Sequence, residues 1–484
     1  MISFVFVMSS LLLSQALFAY TYRCDGTWDD VYSLIRASDG GYAFIGPWSR
    51  DRLGIVKLSS SGSVSWAEYV YQAEGDPDME FGGAIIQTSD GGFAIGACSI
   101  TDNMLFIKLN SSGGITNYYS YGTNWDGAKS LIQDGTYYVM AGRRINPADG
   151  FFDWYVVKIS GSNGTVSWGR RFGYAGGHDS ACSILRMSDG GYLIGGTMGD
   201  RFATVKITSS GGFSWARIYT GLTAYPTSMV STSDGGVIMV GYTGGDVLVL
   251  KIASDGSLSW AKRYDGGSSE EGLSVIQAAD GDYVVGASTP TGPLVFKISP
   301  DGNTVRWSSR IPTVGIHGWA RGTLAQSTDG GYVFGGSGAG IGGGSDFMVL
   351  KLDSQGQHPN CTVGYPLSVS TPAITASSET FSLPSAAPSR TSYTGSTPSI
   401  VLDTLRLSCS PLYEEVEEFS GISVRVFAGG IILNSQSDIP LSLYSSDGRL
   451  VRYKEMRCGE NRINLDPGVY FWQAGPYKGK AVVK

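Results

Sequence analysis

Short apolar bursts recur along most of this chain, separated by polar turns. The runs Tyr42-Ala43-Phe44-Ile45, Tyr192-Leu193-Ile194 and Tyr332-Val333-Phe334 are almost continuously apolar. Runs this short suit strands buried on both faces. Glycine closes them, at Gly46, Gly96, Gly142, Gly195, Gly241, Gly286 and Gly335, where a strand ends or two backbones come close. Apolar spacing of three and four, the mark of an amphipathic helix, is nearly absent.

The bursts form a repeat. An Asp-Gly turn begins at Asp39, Asp90, Asp134, Asp189, Asp234, Asp280 and Asp329, each with a lysine downstream: Lys57, Lys108, Lys158, Lys206, Lys251, Lys297 and Lys351. Trp66, Trp168, Trp215, Trp260 and Trp307 then open a last strand, and copies two and seven have no such Trp. Asp-Gly between two strands is a hairpin signal, because glycine reaches positive φ and Asp bonds its own turn. Four strands per repeat at this period define a propeller blade. The expected fold is all-β: a seven-bladed β-propeller over 20–361, followed by a small C-terminal β-sandwich. Copy seven has no clear fourth strand, and residues 20–26 resemble the fourth strand of copy five, Ala261 to Gly266. They are expected to close the ring. The blade sentence resembles the Asp-Gly-Gly (delta-60-like) repeats of bacterial propellers, a resemblance that speaks to fold and little to function.

Seven copies of Asp and Lys at one blade position argue for a structural job. The Asp reads as a turn residue. The Lys is expected to lay its stem on a strand and keep its ammonium wet. Function is then sought where the copies differ, in loops such as 143–150 and 338–344 on one face of the ring. Just before the innermost strand several copies carry an acid: Asp29 and Asp30, Glu80, Asp126, Asp179, and Glu270 with Glu271. Asp30, Glu80, Asp126, Asp179 and Glu271 are the candidate ligand-binding residues, an acidic ring at the channel mouth that would attract a cation or a basic group. Copies five and seven have Tyr225-Pro226 and His317-Gly318-Trp319 there. No cofactor is implied; calcium is the cation such a ring could take.

The chain has 484 residues, 16% of them charged, with a net charge of −7, and has no basic cluster of the kind nucleic-acid binding needs. The 69 glycines and 12% aromatics fit many short strands. Residues 1–19 read as a signal peptide with cleavage after Ala19, and no later stretch could span a bilayer. Three histidines, His178, His317 and His358, offer neither metalloprotease spacing nor a nucleophile elbow. A carboxylate pair for sugar cleavage, drawn from distant blades, stays open as the alternative to binding. Six cysteines contain no CxxC pair. Cys361 could pair with Cys409 across a Ser/Thr/Pro-rich segment or with Cys24 at the ring closure, and Cys98 and Cys182 read as small buried hydrophobes.

Residues 362–419 are rich in Ser, Thr and Pro and read as an extended spacer, with 400–407 as one strand. Its acidic run, Glu414 to Glu418, reads as a solvated edge. From 420 short alternating strands return: Ser423 to Val426, Leu441 to Tyr444 and Val469 to Trp472. The pieces Leu443-Tyr444-Ser445-Ser446-Asp447-Gly448-Arg449, Gly459-Glu460-Asn461-Arg462-Ile463-Asn464-Leu465 and Pro467-Gly468-Val469-Tyr470, closing on Val483-Lys484, resemble the C-terminal sorting domain of the type IX secretion system. That resemblance implies export, Gly448, Gly468, Tyr470 and Lys484 as sorting-signal residues, the type IX secretion machinery as a partner, and a secreted or outer-membrane surface location. The expected function is non-catalytic binding of an extracellular glycan, protein or surface polymer. A polysaccharide hydrolase or lyase on the ring is the alternative, and a purely structural surface component a third reading.

Overall fold

The computed structural model describes residues 17–23, 30–48, 52–71, 83–98, 103–122, 126–173, 177–312, 323–339, 345–359, 361–379, 390–392, 403–406, 416–419, 422–427, 430–435, 439–445, 448–456, 459–464, 468–474 and 477–483. Among them every regular element is a β-strand. The chain divides into two units, one of 1–357 with 364–407 and one of 358–363 with 408–484.

The first unit holds seven antiparallel sheets, each with four core strands in simple up-and-down order. Their first strands are Ser33–Arg36, Gly83–Gln87, Gly127–Asp134, Ser180–Arg186, Tyr225–Ser231, Glu271–Gln277 and Thr323–Gln326. Each first strand touches the next, and the seventh touches the first, so the sheets close a circuit. The closing sheet takes its fourth strand from the N-terminus: Ala19–Arg23 runs antiparallel to Ser345–Leu352, with Tyr20 opposite Val349. Phe18 and Ala19 are buried in that sheet, so a boundary after Ala19 would cut through it.

The repeated residues explain the repeated shape. In the first sheet the Asp39 carboxylate accepts the Gly41 N–H at 2.9 Å, and Gly40 takes φ +80°, which an L side chain resists. The lysines differ from expectation. Lys57, Lys206, Lys251, Lys297 and Lys351 are buried, and each of the seven is ion-paired to the turn Asp of its own sheet. The distances are 2.7 Å for Lys57–Asp39, 2.8 Å for Lys158–Asp134, 2.7 Å for Lys206–Asp189, 2.9 Å for Lys251–Asp234 and 2.6 Å for Lys351–Asp329. Lys108–Asp90 and Lys297–Asp280 complete the set. The reason is register: the lysine strand lies beside the strand that leaves the turn, and a stem laid along it reaches the carboxylate rather than water.

The tryptophans join neighbouring sheets. Trp66, Trp168 and Trp260 donate their indole N–H to the carbonyls of Ser111, Ser209 and Pro300, at 3.2, 3.3 and 3.1 Å. Each acceptor sits in a turn of the following sheet, where Gly113, Gly211 and Gly302 leave room for the ring. The two sheets without a Trp use other aromatics. Tyr119 covers Gly164, and Phe18 with Tyr20 covers Gly62.

The segment expected to be a spacer instead adds strands to the ring. Val363–Gly364, Ser368–Ser370, Thr375–Glu379, Arg390–Ser392 and Asp403–Arg406 become the fifth strands of sheets six, five, four, two and seven, in that order. Asp403–Arg406 falls within the stretch expected to form one strand. This belt lies on outer edges, and an uncovered edge is a template for unwanted pairing.

The second unit contains two four-stranded antiparallel sheets. Cys361, Leu441, Leu443, Ile463, Tyr470, Trp472 and Ala474 are its buried apolar side chains among the described residues. Gly448, at φ +80°, turns the hairpin in which its N–H reaches the Ser445 carbonyl at 2.9 Å. Gly468 opens Gly468–Ala474 opposite Val483. Lys484 lies outside the described residues. Cys361 is in a disulfide while Cys98 and Cys182 are thiols. The partners expected from sequence, Cys24 and Cys409, lie outside the described residues. Among the described residues no helix is long and apolar enough to cross a membrane.

Candidate functional site

The seven first strands surround a cavity of about 420 Å³, within the range of small-ligand sites. All seven contribute to its wall, through Ser33, Ala84, Ser130, Ser183, Thr227, Ser274 and Thr323 among others. Much of this polarity is spent sideways. The hydroxyls of Ser33, Ser130 and Ser183 accept the N–H groups of Ile85, Ile184 and Met229 on the next strand, at 3.2, 3.0 and 3.0 Å. Thr227 donates to the Gly272 carbonyl at 2.8 Å. These bonds satisfy inner-strand backbone groups that face no further strand.

The wall groups with the most chemistry are Tyr32, Lys129, Tyr225, Tyr242 and Glu271. Tyr225 and Tyr242 face each other across a strand pair, with ring centroids 5.5 Å apart, and Tyr225 is 37% exposed. Burial, then the charge and hydrogen bond of Asp200, push the Tyr225 hydroxyl upward in pKa. Asp200 belongs to a tight turn in which Met198 and Arg201 exchange backbone hydrogen bonds. It is the one non-glycine residue with positive φ, +57°, among the described residues, and such strain gathers at functional positions. Burial pushes the Glu271 carboxyl above its usual range.

The acids singled out from sequence go to different places. Glu271 lines the cavity. Asp126 and Asp179 are fully buried. Asp126 lies 3.6 Å from the Arg144 Nε, pressed against Gly122, where a Cβ would meet it. Asp179 accepts the Gly199 N–H at 2.9 Å, bracing the turn that holds Asp200. Asp30 is partly buried, its carbonyl against Gly46. Glu80 lies outside the described residues. Of the four described acids, Glu271 is the one among the residues that line the cavity. The Tyr225–Tyr242 pair and Asp200 were not picked out from sequence. The available signal was that Tyr225 stands where other copies carry an acid.

Buried carboxylates recur beside these loops. Asp153 is held at a pKa of about 6 by burial, against the Arg171 guanidinium 3.2 Å away and with Asp149 and Asp179 adding to the rise. Asp246, Asp265 and Glu270 bring carboxylate oxygens within 4.8 Å of one another, the one group among the described residues with a cation's spacing. Protein groups already meet these oxygens. Arg263 lies 2.9 Å from Asp246, and Tyr365 and the Gly266 N–H bond Glu270 at 2.6 and 3.1 Å.

A closed circuit of radially ordered four-stranded sheets around a channel is the architecture of a β-propeller. No protein-family model matches the chain, and no curated protein matches it. Solved structures similar to it include the Dos1 propeller, at 12% identity and TM-score 0.44 over 74% of this chain and 94% of that one. PorZ, a surface component of the type-IX secretion system of Porphyromonas gingivalis, is similar at 11% identity and TM-score 0.40 over 94% of this chain and 59% of that one. The NanB sialidase of Streptococcus pneumoniae is similar at 12% identity and TM-score 0.40 over 70% of each chain.

Proposed function

We propose that this chain is an exported, seven-bladed β-propeller that binds a glycan at the mouth of its central cavity and performs no chemistry on it. The observation that carries the reading is the Tyr225–Tyr242 pair, Tyr225 exposed and Tyr242 half-buried, at a cavity of about 420 Å³. Tyrosine faces cover the apolar face of a sugar ring at little entropic cost, and polar tips around them orient its hydroxyls. A glycosidase would need a second carboxylate roughly 5–9 Å from the first. Glu271 is the one carboxylate among the described residues that line the cavity.

Export and location rest on the sequence. The apolar N-terminus acts as a signal peptide, and the second unit acts as a type IX sorting domain that delivers the ring to the cell surface or the medium. Gly448 and Tyr470 serve that domain by shaping it, one as a turn and one in its core.

A glycan array probed with the full chain, run beside a hydrolysis screen on the same polysaccharides, tests the reading. Binding without turnover, lowered at least about tenfold by Tyr225→Ala, is the expected result. Turnover lost in Glu271→Gln would make the ring a hydrolase, and a blank array would remove the glycan.

A further inference from the structure

We propose, resting on the glycan reading above, that the cavity selects a sugar bearing a free amine, whose ammonium sits between the Tyr225 ring and the Glu271 carboxylate. Tyr225 is the first residue of Tyr225–Ser231, and Glu271 is the first residue of the adjoining Glu271–Gln277. The Thr227 hydroxyl, bonded to the Gly272 carbonyl at 2.8 Å, fixes the starts of these strands side by side. Both residues line the one cavity, so an aromatic face and a carboxylate are presented together at one stretch of its wall.

That pairing suits an ammonium for two physical reasons. An aromatic face attracts a cation, more strongly where water is thin. A carboxylate that burial has already made costly to ionise recovers that cost when a cation arrives beside it. Asp200, whose charge acts on the Tyr225 hydroxyl, adds negative potential at the hydroxyl end of the ring. Lys129, on the third sheet's first strand, also lines the cavity. It repels an ammonium placed toward it and so favours the amine at the side where sheets five and six meet. A neutral N-acetyl group of the same skeleton gains none of this.

Calorimetric titration of the full chain with a glucosamine trimer and with the N-acetylglucosamine trimer tests the proposal. The amine form is expected to bind at least about tenfold tighter, with affinity falling as salt rises. Glu271→Gln should reduce that preference to less than about twofold with the unfolding temperature unchanged, and Tyr225→Ala should weaken both trimers. Should Glu271→Gln unfold, the salt dependence of the wild-type preference decides the matter. Equal affinities for the two trimers, a preference indifferent to salt, or one that survives in folded Glu271→Gln would each overturn the proposal. A glycan array positive for neutral sugars alone would end the amine selection and leave glycan binding intact, whereas an entirely blank array would end both.

Discussion

Lys351 has no exposed side-chain surface and faces an Asp329 that is one-tenth exposed, whereas Lys108 is one-fifth exposed and its partner Asp90 more than half. One motif therefore has two energetic meanings. Removing one partner of a buried pair strands a charge, at about 3–5 kcal/mol, whereas exposed pairs contribute roughly 0–1 kcal/mol. Lys351→Met is expected to cost about 3 kcal/mol and Lys108→Met less than about 1 kcal/mol, read from urea-unfolding midpoints. Acids of opposite kind also set the pH profile. The Lys108 hydrogen bond holds Asp90 at a pKa of about 2, so its contribution is present above the ordinary carboxylate range and lost as pH falls toward 2. Asp153, raised to about 6, works the other way: its folded form prefers the proton, so its contribution is present below the ordinary range and lost as pH rises through 6. Asp153→Asn should shrink the stability lost between pH 5 and pH 7.5 by about 1.4 kcal/mol. An unchanged difference between those two pH values would refute this. Sequence showed both members of every Asp–Lys pair and hid their pairing. The partners stand 17 to 24 residues apart, and only the register of two hairpins brings them together.

At the scale of the element, the seams between sheets depend on one aromatic per sheet set into the next sheet's turn. Five of these were legible as tryptophans. The other two were not, because Tyr119 and Phe18 do the work from different positions and a repeat consensus cannot show it. Phe18 stacks on Tyr20 at 5.5 Å and meets Tyr42 of the first sheet at 6.2 Å. Its carbonyl also accepts the Lys351 N–H at 2.7 Å. Phe18→Ala should therefore destabilise the ring by about 2–4 kcal/mol. For the same reason, if a leader is removed from this chain, the cut should leave Phe18 in place, for example after the small-x-small stretch Ser14-Gln15-Ala16, rather than expose Tyr20. Mass spectrometry of the protein recovered from outside the cell reads this directly, and a mature Tyr20 terminus would refute it. The belt was hidden for a different reason. Its Ser/Thr/Pro composition suits a solvated spacer, and edge pairing is made by backbone groups that composition does not report. Contacts such as the Thr220 and Thr375 hydroxyls at 3.0 Å are only local additions.

At the scale of the whole molecule, the repeat foretold the closed circuit, including the N-terminal strand in the last sheet, because each copy must bury its faces against neighbours. The cavity was implied by that circuit, but its chemistry was not. Two of the acids that stand one residue before a first strand, Asp179 and Glu270, accept backbone N–H groups, those of Gly199 and Gly266. Glu270 and Glu271 show the choice in adjacent residues: the first is wholly buried against Tyr365 and Gly266, and the second faces the cavity.

The belt's last strand, Asp403–Arg406, pairs with Ala19–Arg23, which in turn pairs with the third strand of the closing sheet. The first-made strand of the ring is thus held between the ring and a late-made segment. A pull on Arg406 directed away from the sheet would load the ladder at the Tyr20 end and open it one rung at a time. Antiparallel strands loaded this way yield at the force of a single hydrogen-bonded pair. The belt can then act as a mechanical fuse, giving way before a pull reaches the strand that keeps the circuit shut.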